Sequence, residues 1–191
     1  RLADAPHQVL ASMGNYIFNT EFLFEQVIKD ADTPGTQHDF GKKVIPSIIK
    51  DYRVFVYPFR DLETQKQAYW RDVGTLDAYW EANMELVSVT PQLNLYDKKW
   101  PIFTHQTQVP PAKFVFDEQD RRGAAIQSMV SGGCVVSGAE VRGSLLFSRV
   151  TVNSFSRVAD SVLLPDVNVG QNCQLNRCII DAGTTLEDGM V

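Results

Sequence analysis

The chain is poor in the features that mark several large protein classes. No run of about 18 apolar residues occurs among its 191, so nothing reads as a membrane span, and Arg1 to Leu10 lacks the apolar core of a signal peptide. The three cysteines, Cys134, Cys173 and Cys178, form no C-x-x-C pair, and their odd number does not suit a disulfide framework, so reduced, buried thiols are expected. The three histidines, His7, His38 and His105, lie in unrelated segments with neither metal-ligand spacing nor a triad around them. Basic residues number 18 against 23 acidic ones, and the pI of about 5.2 argues against a nucleic-acid partner. Neither a Walker-type loop nor a G-x-G-x-x-G segment is present to wrap phosphates, the glycines being scattered. These absences leave an expectation of a cytoplasmic protein with no membrane and no nucleic-acid partner.

What is present is ordinary globular sequence, 44% hydrophobic and 21% charged, long enough for one large or two modest domains. Its most distinctive short run is Tyr69-Trp70-Arg71-Asp72-Val73-Gly74-Thr75, which leads into Leu76-Asp77-Ala78-Tyr79-Trp80. Two aromatics and an arginine crowd one aspartate; a glycine then permits a sharp turn and a threonine can cap a helix. That pattern predicts a strand end feeding a helix start, where open α/β sheets place their ligands, so Asp72 is the leading candidate for a metal or substrate contact. A turn or helix-dipole role for the same aspartate is the plainer alternative.

The rest of the first half predicts helices and strands in alternation. Gln8 to Phe18 reads as a buried strand in which Gly14 allows close backbone approach, with Ser12 either bonded to backbone or functional. Asn19-Thr20-Glu21 followed by Phe22, Leu23, Phe24, Val27 and Ile28 reads as a capped helix. After the Pro34-Gly35 loop, His38-Asp39-Phe40-Gly41-Lys42 opens a second short helix and puts Asp39 near its N-terminus. A role as general base is rejected for His38, because no nucleophile or carboxylate arrangement around it fits one. Tyr52 to Phe59 reads as a strand apolar on both sides, Arg60 to Gln67 as a loop, and Leu76 to Val89 as a helix. Thr90 to Phe116 holds four prolines and no sustained period, with Tyr96 and Trp100 expected to pin it down, and Asp117 to Gly123 reads as an exposed turn.

Beyond Gln127 the chain repeats itself. Ser128, Ser144, Ser161 and Cys178 begin four similar units at steps of 16, 17 and 17 residues. Within the units a large aliphatic returns about every six residues: Val130, Val136, Val141; Leu146, Val152, Val158; Leu163, Val169, Leu175; Ile180, Leu186. Three short strands per coil, each with one aliphatic inward, satisfy that spacing, and stacked coils bury a continuous column. Cys134, Val150, Ser156, Val162, Val167 and Cys173 are compact enough for interior corners.

Several motifs carry a resemblance that covers essentially the whole chain. Leu10-Ala11-Ser12-Met13-Gly14-Asn15-Tyr16-Ile17-Phe18, His38-Asp39-Phe40-Gly41-Lys42, the Tyr69 to Thr75 run, Pro110-Pro111-Ala112-Lys113-Phe114-Val115 and Val130-Ser131-Gly132-Gly133-Cys134-Val135 resemble, in that order, the later half of bacterial glucose-1-phosphate adenylyltransferase (ADP-glucose pyrophosphorylase). The resemblance implies an α/β remnant of a nucleotidyltransferase domain with a Rossmann-like mixed sheet, followed by a left-handed parallel β-helix of hexapeptide repeats. The expected boundaries are 1–90 for the nucleotidyltransferase part, 91–127 for a linker and 128–191 for the β-helix. It also implies that the family's glycine-rich phosphate-wrapping stretch lies outside these residues, so the chain is expected to be a fragment, inactive alone.

The resemblance further implies the chemistry of the intact enzyme: ATP and glucose 1-phosphate giving ADP-glucose and pyrophosphate for glycogen synthesis, with Mg²⁺ as cofactor. Asp72 would give the metal one carboxylate, Ser12 would bond the sugar phosphate, and Trp70 and Arg71 would hold Asp72 in place. Assembly as a homotetramer and a small-molecule allosteric effector are also implied. Arg142, Arg149, Arg157 and Arg177 are candidates to meet a phosphorylated effector, a solvated face being the alternative. Ala182 stands where some members carry a further basic residue, which weighs against a nucleotide effector site of the usual kind. Competing readings are another sugar-1-phosphate nucleotidyltransferase or a non-catalytic assembly module. Hexapeptide acyltransferases use a projecting histidine, and none follows His105.

Overall fold

The computed structural model of the chain describes His7 and residues 9–191. They fall into two compact units, one ending at Ala68 and one running from Tyr69 to Val191.

The first unit is helical where the sequence supplies caps. Asn19 stops the extended chain and its Oδ1 accepts from the Glu21 and Phe22 amides at 3.1 and 3.4 Å, starting α1 (Thr20–Ala31). Asp39 does the same for a π-helical turn, Phe40–Val44, its Oδ1 accepting from Lys42 N at 2.8 Å; the turn runs directly into α2 (Ile45–Ile48). Val44 and Ile48 are the buried aliphatics among the described residues of this unit, and Tyr16, Phe18, Phe22, Phe40 and Tyr52 form a contiguous aromatic cluster.

The strands expected here are not formed among the described residues. Val9–Phe18 and Tyr52–Phe59 are extended or irregular, and Val9, Ile17, Phe55, Val56 and Tyr57 are exposed; Gln8, where the first strand was expected to begin, lies outside the described residues. Tyr69–Asp72, in the second unit, likewise lacks a ladder. Apolar pattern marks a segment that can pair, but a strand exists only where a neighbour completes its backbone hydrogen bonds. Among the described residues before Lys113 the one bridge joins Arg60 to Gln67 and closes the expected loop. Gly14 has open space around it; the residue is needed for its φ of 77° rather than for close approach.

The second unit contains α3 (Leu76–Val87) and a parallel β-helix. The solenoid's strands are β1 (Lys113–Val115), β2 (Ala124–Ile126), β3 (Met129–Val130), β4 (Val135–Ser137), β5 (Glu140–Arg142), β6 (Leu145–Leu146), β7 (Thr151–Val152), β8 (Arg157–Ala159), β9 (Val162–Leu163), β10 (Asn168–Val169), β11 (Gln174–Asn176), β12 (Ile179–Ile180) and β13 (Thr185–Leu186). They stack into three parallel sheets, β1-β4-β7-β10-β13, β2-β5-β8-β11 and β3-β6-β9-β12, one sheet per face of the prism.

The aliphatics returning every six residues are the residues that pair in register. Val136, Val152, Val169 and Leu186 form one column, Val141, Val158 and Leu175 a second, and Val130, Leu146, Leu163 and Ile180 a third. All are buried except Val130 and Ile180, which pack half-exposed against the same core. Cys134, Val150, Val167 and Cys173 fill the interior between them. The ladders begin at Lys113, N-terminal to the first recognisable repeat, because Phe114 pairs with Val136 and Ala125 with Val141.

A column of hydroxyls runs beside these aliphatics. Ser128, Ser144 and Ser161 each donate to the carbonyl two residues back, at 2.8, 2.7 and 2.6 Å. Each also accepts the backbone N–H of its counterpart one coil on, Ser144, Ser161 and Cys178, at 3.1, 3.1 and 3.2 Å. The corner residues that mark the start of each repeat are therefore its interlock.

The Thr90 to Phe116 stretch is mostly irregular before β1, and Tyr96 and Trp100 are largely exposed, so they do not pin it. The Asp117–Gly123 turn is closed by an Asp117–Arg122 ion pair, and Arg121 is drawn in, its guanidinium over the Phe116 ring and its Nε donating to Ser154 Oγ at 3.0 Å. No helix among the described residues is long and apolar enough to cross a membrane.

Candidate substrate and metal site

In the first unit the structure gathers a hydroxyl pair around Ser12. Ser12 Oγ lies 2.9 Å from Tyr16 Oη and accepts the Gly14 N–H at 3.2 Å, a tight turn made possible by that glycine. The Tyr16 ring is stacked on Phe40 with centroids 5.7 Å apart. Asp39 and Tyr16 both approach Gly41, where an added Cβ would stand 3.4 Å from Asp39 Oδ1 and 3.7 Å from Tyr16 Oη. Ser12 is exposed, so its remaining hydrogen-bonding capacity faces solvent. Tyr16 is the residue sequence reasoning missed here; its spacing of four from Ser12 meant nothing until the turn at Gly14 folded the two hydroxyls together.

In the second unit Asp72 closes an Asx turn, its Oδ1 accepting from Gly74 N at 3.0 Å. Thr75 then caps α3 through Ala78 N at 3.2 Å, as the threonine in the run predicts. The turn holds one carboxylate oxygen and leaves the exposed Asp72 free to bind through the other. Arg71 does not hold Asp72. Its Nη2 donates to Glu85 Oε2 at 2.7 Å, a carboxylate that stands about two and a half turns into α3. The pairing keeps the Arg71 guanidinium above its ordinary pKa, first through the hydrogen bond to Glu85. Trp70 is partly exposed and makes no hydrogen bond to Asp72. Arg71 therefore anchors the strap that carries Asp72 without touching the carboxylate.

The start of α3 is fixed in turn by the solenoid. Trp80 Nε1 donates to Asp160 O at 2.7 Å, and the Arg177 guanidinium lies 4.8 Å from the Trp80 ring centroid. Of the other repeat arginines, Arg142 pairs with Glu140 at 3.2 Å and Arg149 with Asp166 at 2.6 Å, while Arg157 projects outward. Pairing to neighbouring carboxylates occupies two of the four groups considered for an anionic effector.

Among the described residues no group of three or more His, Cys, Asp or Glu could cage a metal ion. Magnesium takes one or two carboxylates together with substrate phosphates and water, so a single well-placed carboxylate can serve as a ligand. Asp72, exposed and with one uncommitted oxygen, fits as such a ligand.

Comparison with known proteins matches the two parts of the chain to two different family models. Residues 3–89 match the family model described as nucleotidyl transferase, and residues 110–191 match the one described as GlmU-like, C-terminal hexapeptide. The glucose-1-phosphate adenylyltransferase of Methylococcus capsulatus is 64% identical over 190 residues, covering all of this chain and 45% of the relative. Those of Teredinibacter turnerae and Shewanella sp. strain ANA-3 are 60% identical, covering 100% and 97% of this chain and 45% and 44% of the relatives. The chain spans rather less than half the length of these curated relatives. At 60–64% identity over 97–100% of its length, the chain matches a portion of proteins named glucose-1-phosphate adenylyltransferase.

Proposed function

We propose that this chain supplies the sugar-phosphate contact and one metal-binding carboxylate of an enzyme that makes ADP-glucose and pyrophosphate from ATP and glucose 1-phosphate, ADP-glucose being the donor for glycogen synthesis. The observation that carries the reading is the 60–64% identity to relatives named for that activity, sustained over the whole chain. The exposed, turn-braced carboxylate of Asp72 and the paired hydroxyls of Ser12 and Tyr16 support it with the right chemistry.

In the reaction an oxygen of the sugar phosphate attacks the α-phosphorus of ATP as the bond to the β-phosphate oxygen breaks and pyrophosphate leaves. The attacking oxygen is already anionic, so no general base is required, in keeping with the rejection of His38 for that role. Catalysis then rests on positioning and on neutralising phosphate charge. Bound magnesium supplies the neutralisation, and Asp72 would hold it through its free oxygen. Ser12 donates to the sugar phosphate, its hydroxyl oriented by Tyr16 and by the Gly14 amide. Arg71 keeps the strap in place through Glu85.

The solenoid is read as the assembly body of a homo-oligomer, and the lack of any histidine after His105 among these residues weighs only against an acyltransferase centre of the projecting-histidine kind. Nucleotide binding requires residues beyond these, so the 191-residue chain alone is expected to form no ADP-glucose. Joined to the portion of the Methylococcus capsulatus relative that it does not match, it is expected to do so. Preference for another nucleotide or sugar 1-phosphate in a panel would favour a different nucleotidyltransferase. In that joined enzyme Asp72→Asn is expected to lower turnover on the order of 100-fold, from losing about 3 kcal/mol of charge stabilisation. Near-normal turnover would remove Asp72 from the site.

A further inference from the structure

His38, dismissed as a base, sits in a connected polar cluster of the first unit. Its Nδ1 lies 2.9 Å from Asp30 Oδ2 and 3.2 Å from Thr36 Oγ1. Thr36 Oγ1 donates to Asp30 Oδ1 at 3.0 Å and accepts the His38 N–H at 2.9 Å. Both oxygens of Asp30 are thus acceptors. The carboxyl is held below its ordinary pKa, first by the hydrogen bond from His38, with Thr36 and Lys43 adding to it, so Asp30 is ionised at neutral pH and His38 Nδ1 carries the proton.

The cluster ties two elements together. Asp30 belongs to the last turn of α1, whereas Thr36 and His38 end the loop that follows it. His38 has φ 51°, a conformation uncommon for a residue with a side chain, and the contacts just described are what hold it there. The next residue, Asp39, caps the π-helical turn, and Phe40, the first residue of that turn, stacks on Tyr16, whose hydroxyl meets Ser12. The chain direction leaving His38 therefore sets where the Phe40 ring stands.

We propose that Asp30, Thr36 and His38 form a clasp whose task is to position the Ser12 and Tyr16 hydroxyls, by fixing the angle at which Asp39 and Phe40 enter their helix. This rests on the reading of Ser12 as a sugar-phosphate contact. The His38 side chain is 62% exposed, so the clasp adds little to global stability; its effect is on local opening of the loop and on the register of Phe40.

Three variants separate positioning from folding. Asp30→Ala removes the acceptor and leaves the His38 backbone preference unaltered, while His38→Ala removes the donor. His38→Asn keeps both a donor and a residue that tolerates positive φ. In the 191-residue chain, hydrogen exchange at the Lys42, Lys43 and Val44 amides, which bond to Asp39, is expected to rise about fivefold in both alanine variants and to return close to wild type in His38→Asn. In the joined enzyme the KM for glucose 1-phosphate is expected to rise by a similar factor, with kcat and the KM for ATP within about twofold of wild type. Unchanged exchange in both alanine variants overturns the clasp, and so does raised exchange with an unchanged KM for the sugar phosphate. Should the unmutated joined enzyme fail to use glucose 1-phosphate, the reading of Ser12 falls, and exchange at those three amides alone decides whether the clasp holds the helix entry.

Discussion

Replacing Ser144 by alanine tests the interlock of the solenoid where water cannot substitute for it. Ser144 and Ser161 are both fully buried. The Ser144 hydroxyl donates to Arg142 O and accepts the Ser161 N–H. After the substitution the Arg142 carbonyl still receives the Asp160 N–H at 3.0 Å, so it is not orphaned. The Ser161 N–H is left with no partner, which costs about 1–3 kcal/mol for a buried group. A methyl group is easier to bury than a hydroxyl, which returns about 1 kcal/mol at most. The expected loss is about 2 kcal/mol, read from the midpoint of urea unfolding by far-UV circular dichroism with the slope unchanged. Ser144→Cys copies what the next coil but one carries at Cys178, and a thiol is a poor but real acceptor, so its expected loss is about 1 kcal/mol. A loss below about 0.5 kcal/mol for Ser144→Ala, or a cysteine variant worse than the alanine one, would show that the hydroxyl column does not join the coils.

Other substitutions probe the aliphatic columns and the surface charge. Leu163→Ala, fully buried between Leu146 and Ile180, is expected to cost about 3 kcal/mol in the same unfolding assay, and a cost below about 1 kcal/mol would mean that neighbouring coils collapse into the space. The Asp166 carboxyl is held below its ordinary pKa by its hydrogen bond from Arg149, so the pair's contribution is present above the unfolded value, about pH 4, and is lost as pH falls through the lowered folded value. Urea midpoints of wild type and Asp166→Asn are therefore expected to differ at neutral pH and to converge in strong acid; a gap that widens on acidification would reverse the assignment. Because the pair is exposed, that gap is expected to be small.

The two halves of the chain were not equally legible. One large aliphatic every six residues can face inward in only one kind of coil, and Val136, Leu146, Val158, Leu163 and Val169 take the positions that count assigns. Caps were equally readable at Asn19 and Thr75, because capping is decided within four residues. Segments such as Tyr52–Phe59 carry the right pattern for strands and are not strands, since pattern says nothing about whether a partner lies alongside. Arg71 shows the same limit at the site. Its neighbour in sequence is Asp72, but its neighbour in space is Glu85, fourteen residues on.

Local sequence by itself determined the inward columns of the solenoid, the helix starts and the exposed carboxylate at the Asp72 turn, all set by contacts within a coil or a turn. Tertiary structure alone decided how each corner serine meets the coil beyond it and which element steadies α3. The physical reason is distance along the chain: a hydrogen bond between residues 17 or 80 positions apart exists only once the intervening chain has been folded to bring donor and acceptor within 3 Å or so, and no local preference encodes that closure.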